Sequence, residues 1–187
     1  MQCCACKRTH AFTLIELLIV VGIIAILALV ALPNLLEAQV RSKISRARAD
    51  MRTLATALET YAADNNKYVP RDDDDVVPES LTTPIAYLTS IPQDQFRPGN
   101  MSVRERRYGY HNVRAEVEAL SPGWPENDLK RYGDWRFFSF GPKQESLPHV
   151  PYDSTNGTVS EGNVLRTQRS PEGKILFTFW DPANPQA

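Results

Sequence analysis

Residues 12–36 read Phe-Thr-Leu-Ile-Glu-Leu-Leu-Ile-Val-Val-Gly-Ile-Ile-Ala-Ile-Leu-Ala-Leu-Val-Ala-Leu-Pro-Asn-Leu-Leu. From Leu17 to Leu36 there are 20 residues without a charge. At about 1.5 Å per residue, a helix over them spans roughly 30 Å, the thickness of a bilayer's hydrocarbon core. One carboxylate, Glu16, interrupts the first turn. An ionisable side chain in a spanning helix costs on the order of 2.5–3.5 kcal/mol near the centre and less near an end. Glu16 therefore either snorkels to the headgroups or has a cationic partner. No Lys or Arg lies within a turn of it on the apolar side. An α-amino group at residue 12, made by a cut after Ala11, is a suitable cation on a staggered neighbour. A cleaved secretory signal fits poorly. Lys7 and Arg8 supply a basic start, but the apolar run is too long and no small-residue cleavage site follows it.

Working outward, residues 37–65 continue as an amphipathic helix. Val40, Ile44, Ala47, Met51, Leu54, Leu58 and Tyr61 recur in alternating steps of four and three, which places them on one face. No Gly or Pro breaks the segment, and Asp64-Asn65-Asn66 is the expected stop. The stripe suits burial against the chain's own soluble domain better than a coiled coil, for which three heptads with an Ala are thin. The Arg-rich opposite face is a solvated face, or one that meets anionic headgroups or acidic patches. Pro33 lacks an N–H donor and crowds the Leu29 carbonyl, so a kink or local opening is expected there.

Every proline of the chain's 14 except Pro33 lies in residues 66–187, so long helices are not expected in that part. A short helix is expected from Ser80 to Ser90. Strands are expected at Arg106 to Val113, Trp135 to Phe140 and Lys174 to Trp180, from their aromatic and β-branched content. A small antiparallel sheet covering one long helix is an α+β arrangement.

Composition narrows the function. The formal charge is −1, which argues against a dedicated nucleic-acid binder. The three cysteines, Cys3, Cys4 and Cys6, all precede the apolar run, so residues 12–187 carry no thiol or disulfide chemistry. His111 and His149 are accompanied by no nucleophilic triad, phosphate loop or zinc-ligand spacing, and we expect no enzyme activity.

Lys7-Arg8-Thr9-His10-Ala11 followed by Phe12-Thr13-Leu14-Ile15-Glu16-Leu17-Leu18-Ile19-Val20-Val21 resembles a type IV prepilin signal. The resemblance implies a leader over residues 1–11, a transmembrane segment over 12–36, and cleavage between Ala11 and Phe12 by a prepilin peptidase. That enzyme would also N-methylate Phe12. It further implies that Glu16 neutralises the Phe12 amine of an adjacent subunit, and that a stretch of helix ending at Pro33 opens during assembly. The family usually has Gly before the cut, where this chain has Ala11. The positive-inside count alone favours the opposite topology, since Arg41, Lys43, Arg46, Arg48 and Arg52 follow the span. Only the resemblance places the N-terminus in the cytoplasm and the soluble domain in the periplasm, as a single-pass protein of a bacterial inner membrane.

Residues 66–187 resemble the major pseudopilin of type II secretion. The segments are Leu81-Thr82-Thr83-Pro84, Tyr87-Leu88, Ile91-Pro92-Gln93-Asp94-Gln95-Phe96, Tyr108-Gly109-Tyr110 and Phe138-Ser139-Phe140-Gly141-Pro142. The likeness implies a pilin-like filament subunit that copolymerises with itself. Its other implied partners are prepilin peptidase, an inner-membrane assembly platform, minor pseudopilins and membrane lipid. A type IV pilus or competence pseudopilin subunit is the alternative, and beside it a membrane-tethered binding module that never polymerises. In that family a loop after the last-named strand binds calcium. Here the loop runs from Pro142 to Asn163, with Asp153, Ser154, Asn156 and Glu161 as oxygen donors. Calcium takes six to eight oxygens. The loop offers few, and Lys143 stands where the family has a small or acidic residue. Asp153-Ser154-Thr155-Asn156-Gly157-Thr158 reads equally as a turn, the reading preferred here. The run Asp72 to Asp75 reads as a solvated acidic loop.

Overall fold

A computed structural model describes residues 12–72, 74–119, 125–144, 150–155 and 160–171. Helix α1 spans Leu14–Asn65, and Asn66 follows it with φ 54°. Asparagine is one of the few residues besides glycine that tolerate this left-handed cap, so the helix stops where the Asn pair was expected to stop it. The chain divides into two compact units, with the boundary between Ala38 and Gln39. The helix from Gln39 onward thus belongs to the second unit.

In the second unit the stripe on α1 is buried as its spacing requires. Ala47, Met51 and Leu54 have no exposed surface, and Ile44 and Leu58 are nearly as enclosed. They pack with Val69, Val77, Leu81, Phe96, Tyr108, Tyr110, Trp135 and Phe137 into the main core, flanked by Val40 and Tyr61. Polar ties pin the helix to the sheet side. Tyr108 Oη donates to Asp50 Oδ2 at 2.9 Å, and Trp135 Nε1 donates to Glu59 Oε1 at 2.8 Å. The other oxygen of Glu59 accepts from Tyr68 Oη at 3.0 Å. Burial, with Glu59 adding to it, pushes the Tyr68 phenol up to about 12.

The sheet is antiparallel with order β1-β2-β3, formed by Gly109–Asn112, Trp135–Ser139 and Val164–Thr167. Tyr110 faces Phe137 in the first ladder, and Phe138 faces Leu165 in the second. Every residue of β2 is buried. Alternation explains how: Trp135 and Phe137 join the α1 core, while Phe138 joins Val113, Tyr132 and Leu165 on the other side. Two short helices, α2 (Val113–Ala119) and α3 (Pro125–Tyr132), cover that second face.

Two expected strands are present in shortened form, and β3 is an addition. The third expected strand, Lys174 to Trp180, lies outside the described residues. The helix expected over Ser80 to Ser90 is a single 3-10 turn, Glu79–Leu81. Pro84 can neither donate to a helical ladder nor sit beside the preceding turn without a clash. The chain instead folds back, with Leu88 N donating to Leu81 O at 3.0 Å.

Candidate functional site

The first turn of α1 has a defined chemistry. Thr13 N and Thr13 Oγ1 both donate to Glu16 Oε2, at 3.0 and 2.7 Å, and Glu16 N donates back to Thr13 Oγ1 at 3.3 Å. This is a capping box, in which the N-cap threonine and the glutamate three residues on satisfy each other's orphan groups. The carboxylate is therefore held on its own chain, at the end of the helix where the backbone dipole favours negative charge. Phe12 precedes it, 78% exposed, and Ala11 lies outside the described residues. From Leu14 to Leu36 the large apolar side chains are exposed, none of them less than Val20 at 47%. A helix apolar on all sides and covered by nothing is long and apolar enough to cross a membrane. The helical backbone continues through Pro33, where Asn34 Nδ2 donates to Val30 O at 3.3 Å. No stretch opened at Pro33 is present in this single subunit.

In the loop from Pro142 to Asn163 two of the expected oxygen donors, Asp153 and Glu161, have partners of their own. Asp153 Oδ1 accepts from Thr155 N at 2.8 Å and Thr155 Oγ1 at 2.7 Å, the bonds of an Asx turn. Glu161 is paired with Lys143. Asn156 lies outside the described residues. Among the described residues no three His, Cys, Asp or Glu side chains converge as a metal site. The bonds on Asp153 are those of the turn expected at Asp153-Ser154-Thr155. The loop is instead closed by backbone: Tyr152 N donates to Asn163 O and Asn163 N to Val150 O, both at 2.8 Å.

The turn that carries Asp94 is built around that carboxylate. Only 3% of Asp94 is exposed. Its Oδ1 accepts from Phe96 N at 3.0 Å and Ser139 Oγ at 2.8 Å, and its Oδ2 accepts from Phe140 N at 3.1 Å. Burial pushes its carboxyl above the usual range, against the pull of these three donors. Asp94 thus fastens the Pro92–Phe96 turn to the end of β2, a structural role.

The prokaryotic N-terminal methylation motif matches residues 6–32. The type IV major pilin protein PilA of Myxococcus xanthus is 46% identical over 61 residues, which cover 33% of this chain and 28% of that pilin. The type II secretion system core protein G of Dickeya chrysanthemi is 27% identical over 156 residues, covering 83% of this chain and 91% of the relative. The core protein G of Aeromonas hydrophila is 31% identical over 97 residues, covering 68% of its length. The chain belongs to the type II secretion core protein G family. No solved structure matches it.

For a core protein G relative, the match over residues 6–32 includes Ala11, Phe12, Thr13 and Glu16. Thr13 is the residue that reading for charge passed over. The Thr-x-x-Glu spacing is a capping-box signature in the sequence, and it gives Glu16 a partner that is not a cation. The likeness to core protein G extends well past α1, whereas that to the pilin stops within about a third of the chain.

Proposed function

We propose that this chain is cut between Ala11 and Phe12, N-methylated at Phe12, and polymerised as a structural subunit of a type II secretion pseudopilus. The observation that carries this reading is α1 from Leu14 to Leu36, an uncovered apolar helix whose single carboxylate, Glu16, stands at its start. Such a surface is satisfied by lipid before assembly and by copies of itself after it. The capping box keeps Glu16 solvated by its own chain in the unassembled subunit. A Phe12 amine from a neighbouring copy then competes for the same carboxylate and sets the stagger. Prepilin peptidase is the processing partner. An inner-membrane platform and minor pseudopilins are the partners of assembly, and the soluble unit forms the periplasmic outer surface of the filament. The chain is a structural part of the export machine and the substrate of its peptidase, with no catalysis of its own.

The test is twofold. The intact mass of the membrane-extracted protein from its host should begin at N-methylated Phe12. Glu16→Ala should insert and be cleaved yet fail to join filaments. A chain that retains Met1 in a host with active peptidase would refute the reading and favour a tethered module, and a Glu16→Ala variant that assembles normally would refute the role given to Glu16.

A further inference from the structure

Within the second unit, an open groove of about 590 Å³ lies between the later part of α1 and the end of β3. Ala55, Thr60 and Ala63 line it from α1, and Trp135, Arg166 and Pro171 line it from the sheet side. α1 carries no Lys or Arg from Thr53 to Asn65, so this wall lacks the cations found before it. The groove's carboxylate, amide and helix hydroxyls already have partners. Glu59 Oε1 accepts from Trp135 Nε1, and Oε2 accepts from Tyr68 Oη. Gln168 Nε2 donates to Tyr68 Oη at 2.8 Å, and Gln168 Oε1 accepts from Asp134 N at 2.7 Å. Thr56 and Thr60 donate to the carbonyls of Arg52 and Thr56, at 3.1 and 2.9 Å. A polar ligand would gain few bonds from these groups, whereas an apolar occupant strands none of them.

The course of the chain selects that occupant. Pro171 is on the groove's rim, where Arg166 Nη1 donates to its carbonyl at 3.0 Å. Residues 172–187 follow it and lie outside the described residues. Their sequence includes Ile175-Leu176-Phe177-Thr178-Phe179-Trp180, in which every residue but Thr178 is large and apolar. Left in water, such a run is an aggregation hazard. In extended form, Ile175, Phe177 and Phe179 share one face, and Leu176, Thr178 and Trp180 share the other. Extended chain carries Phe177 roughly 20 Å from Pro171, while the α1 wall from Ala55 to Ala63 is about 12 Å long. A segment tethered at the rim also has an effective concentration on the order of millimolar, well above that of a free partner.

We propose that residues 174–180 lie in this groove as an intramolecular cover, with Ile175, Phe177 and Phe179 against Ala55, Thr60 and Ala63 and over Trp135. Seated there, the segment closes the open flank of the core and withholds that flank of α1 from neighbouring copies. The inference concerns the single subunit and stands apart from the filament reading.

The test is thiol accessibility in the full chain in detergent, with Cys3, Cys4 and Cys6 replaced by serine. Thr53 and Thr60 are both exposed on α1, and each donates to the carbonyl four residues back, but Thr60 lines the groove and Thr53 does not. Alkylation of Thr60→Cys should be at least about tenfold slower than that of Thr53→Cys, a factor that burial of one large apolar side chain supports. The difference should vanish in Phe177→Ser with Phe179→Ser. It should persist in Leu176→Ser with Trp180→Ser, and at every protein concentration. Equal rates at the two positions in the chain with its native C-terminal segment would overturn the cover and leave the filament reading untouched. Protection that survives Phe177→Ser with Phe179→Ser, or is lost in Leu176→Ser with Trp180→Ser, would overturn the face assigned to the groove. Protection that falls on dilution would put a second copy's segment there and overturn the intramolecular placement.

Discussion

Asp94→Asn changes one atom of a buried carboxylate and should destabilise the soluble unit by a calculable amount. The wild-type side chain accepts two backbone N–H groups, from Phe96 and Phe140, and the hydroxyl of Ser139. An amide has a single acceptor atom. If its oxygen keeps Phe96 N and Ser139 Oγ, its NH2 points at Phe140 N–H, and if it flips, it points at Phe96 N–H. Either orientation sets donor against donor and strands one buried backbone N–H. Losing a hydrogen bond to a charged group costs about 1.5–3 kcal/mol, and an unsatisfied buried donor adds about 1–3 kcal/mol. Against this, the variant no longer buries a charge, a relief consistent with the raised carboxyl. A net loss of about 2–3 kcal/mol is expected at neutral pH. For a chain of this size that is a fall in melting temperature of roughly 5–10 °C. The assay is thermal unfolding of the full chain in detergent, followed by tryptophan fluorescence, since Trp135 is buried beside Phe137. Ser139→Ala is the control, with a loss near 1 kcal/mol because it removes one neutral donor and leaves the backbone bonds intact. An Asp94→Asn melt within a degree of wild type would refute the reasoning that this carboxylate holds the turn to β2.

Leu54→Ala should cost about 2–5 kcal/mol in the same melt, because Leu54 is fully enclosed between α1 and the sheet. Gly162→Ala should fail to fold normally or lose about 1–3 kcal/mol, since its Cβ would lie 2.0 Å from Pro151 O, a backbone atom that cannot swing aside. Glu116→Gln should show a pH signature. Burial would raise the Glu116 carboxyl, but His111, Arg71 and Arg136 outweigh it and hold the group below its ordinary 4.5. Its contribution is therefore complete above that value and lost as pH falls through the depressed one. The variant should be less stable than wild type at neutral pH, and the two melts should converge as the pH falls through the depressed Glu116 value. Calcium in place of chelator should leave the wild-type melting temperature unchanged if the loop is a plain turn; a rise of several degrees would support Asp153, Asn156 and Glu161 as ligands.

The parts of this fold that could be read in advance are those governed by local periodicity. The stripe from Val40 to Tyr61 specifies both a helix and the face it buries, and the Asn pair after it specifies the stop. β1 and β2 were visible through their aromatic residues, although β1 begins only at Gly109. Arg107 before it serves another end, reaching Val77 O and Glu79 with its guanidinium. β3 was invisible because Val164-Leu165-Arg166-Thr167 is short and carries an arginine in its middle. Its strand character comes from pairing with β2, some thirty residues earlier in the sequence. Asp94 is visible in the sequence only within the Ile91–Phe96 segment that carries the resemblance, and its burial depends on Ser139 and Phe140, which no local pattern predicts. The Thr13–Glu16 capping box was legible from spacing alone. It was missed because a carboxylate in an apolar helix draws attention to charge, while its nearest satisfaction is a hydroxyl and an amide three residues away.

One helix in this chain follows two different rules, and that separates its failures. From Leu17 to Leu36 it is apolar all round, so nothing within the chain requires any particular face, and substitutions there leave the soluble core untouched. After Gln39 a single face is committed to the core, where loss of one methyl-bearing side chain is felt by the whole unit. Defects in Leu54 or Asp94 should therefore appear as unfolding and degradation of the subunit. A defect at Glu16 should appear in a folded, membrane-inserted protein that does not join others. A Glu16→Ala chain that melted several degrees below wild type would contradict this separation, because the capping box is worth only about 1 kcal/mol to one end of a helix that the core does not use.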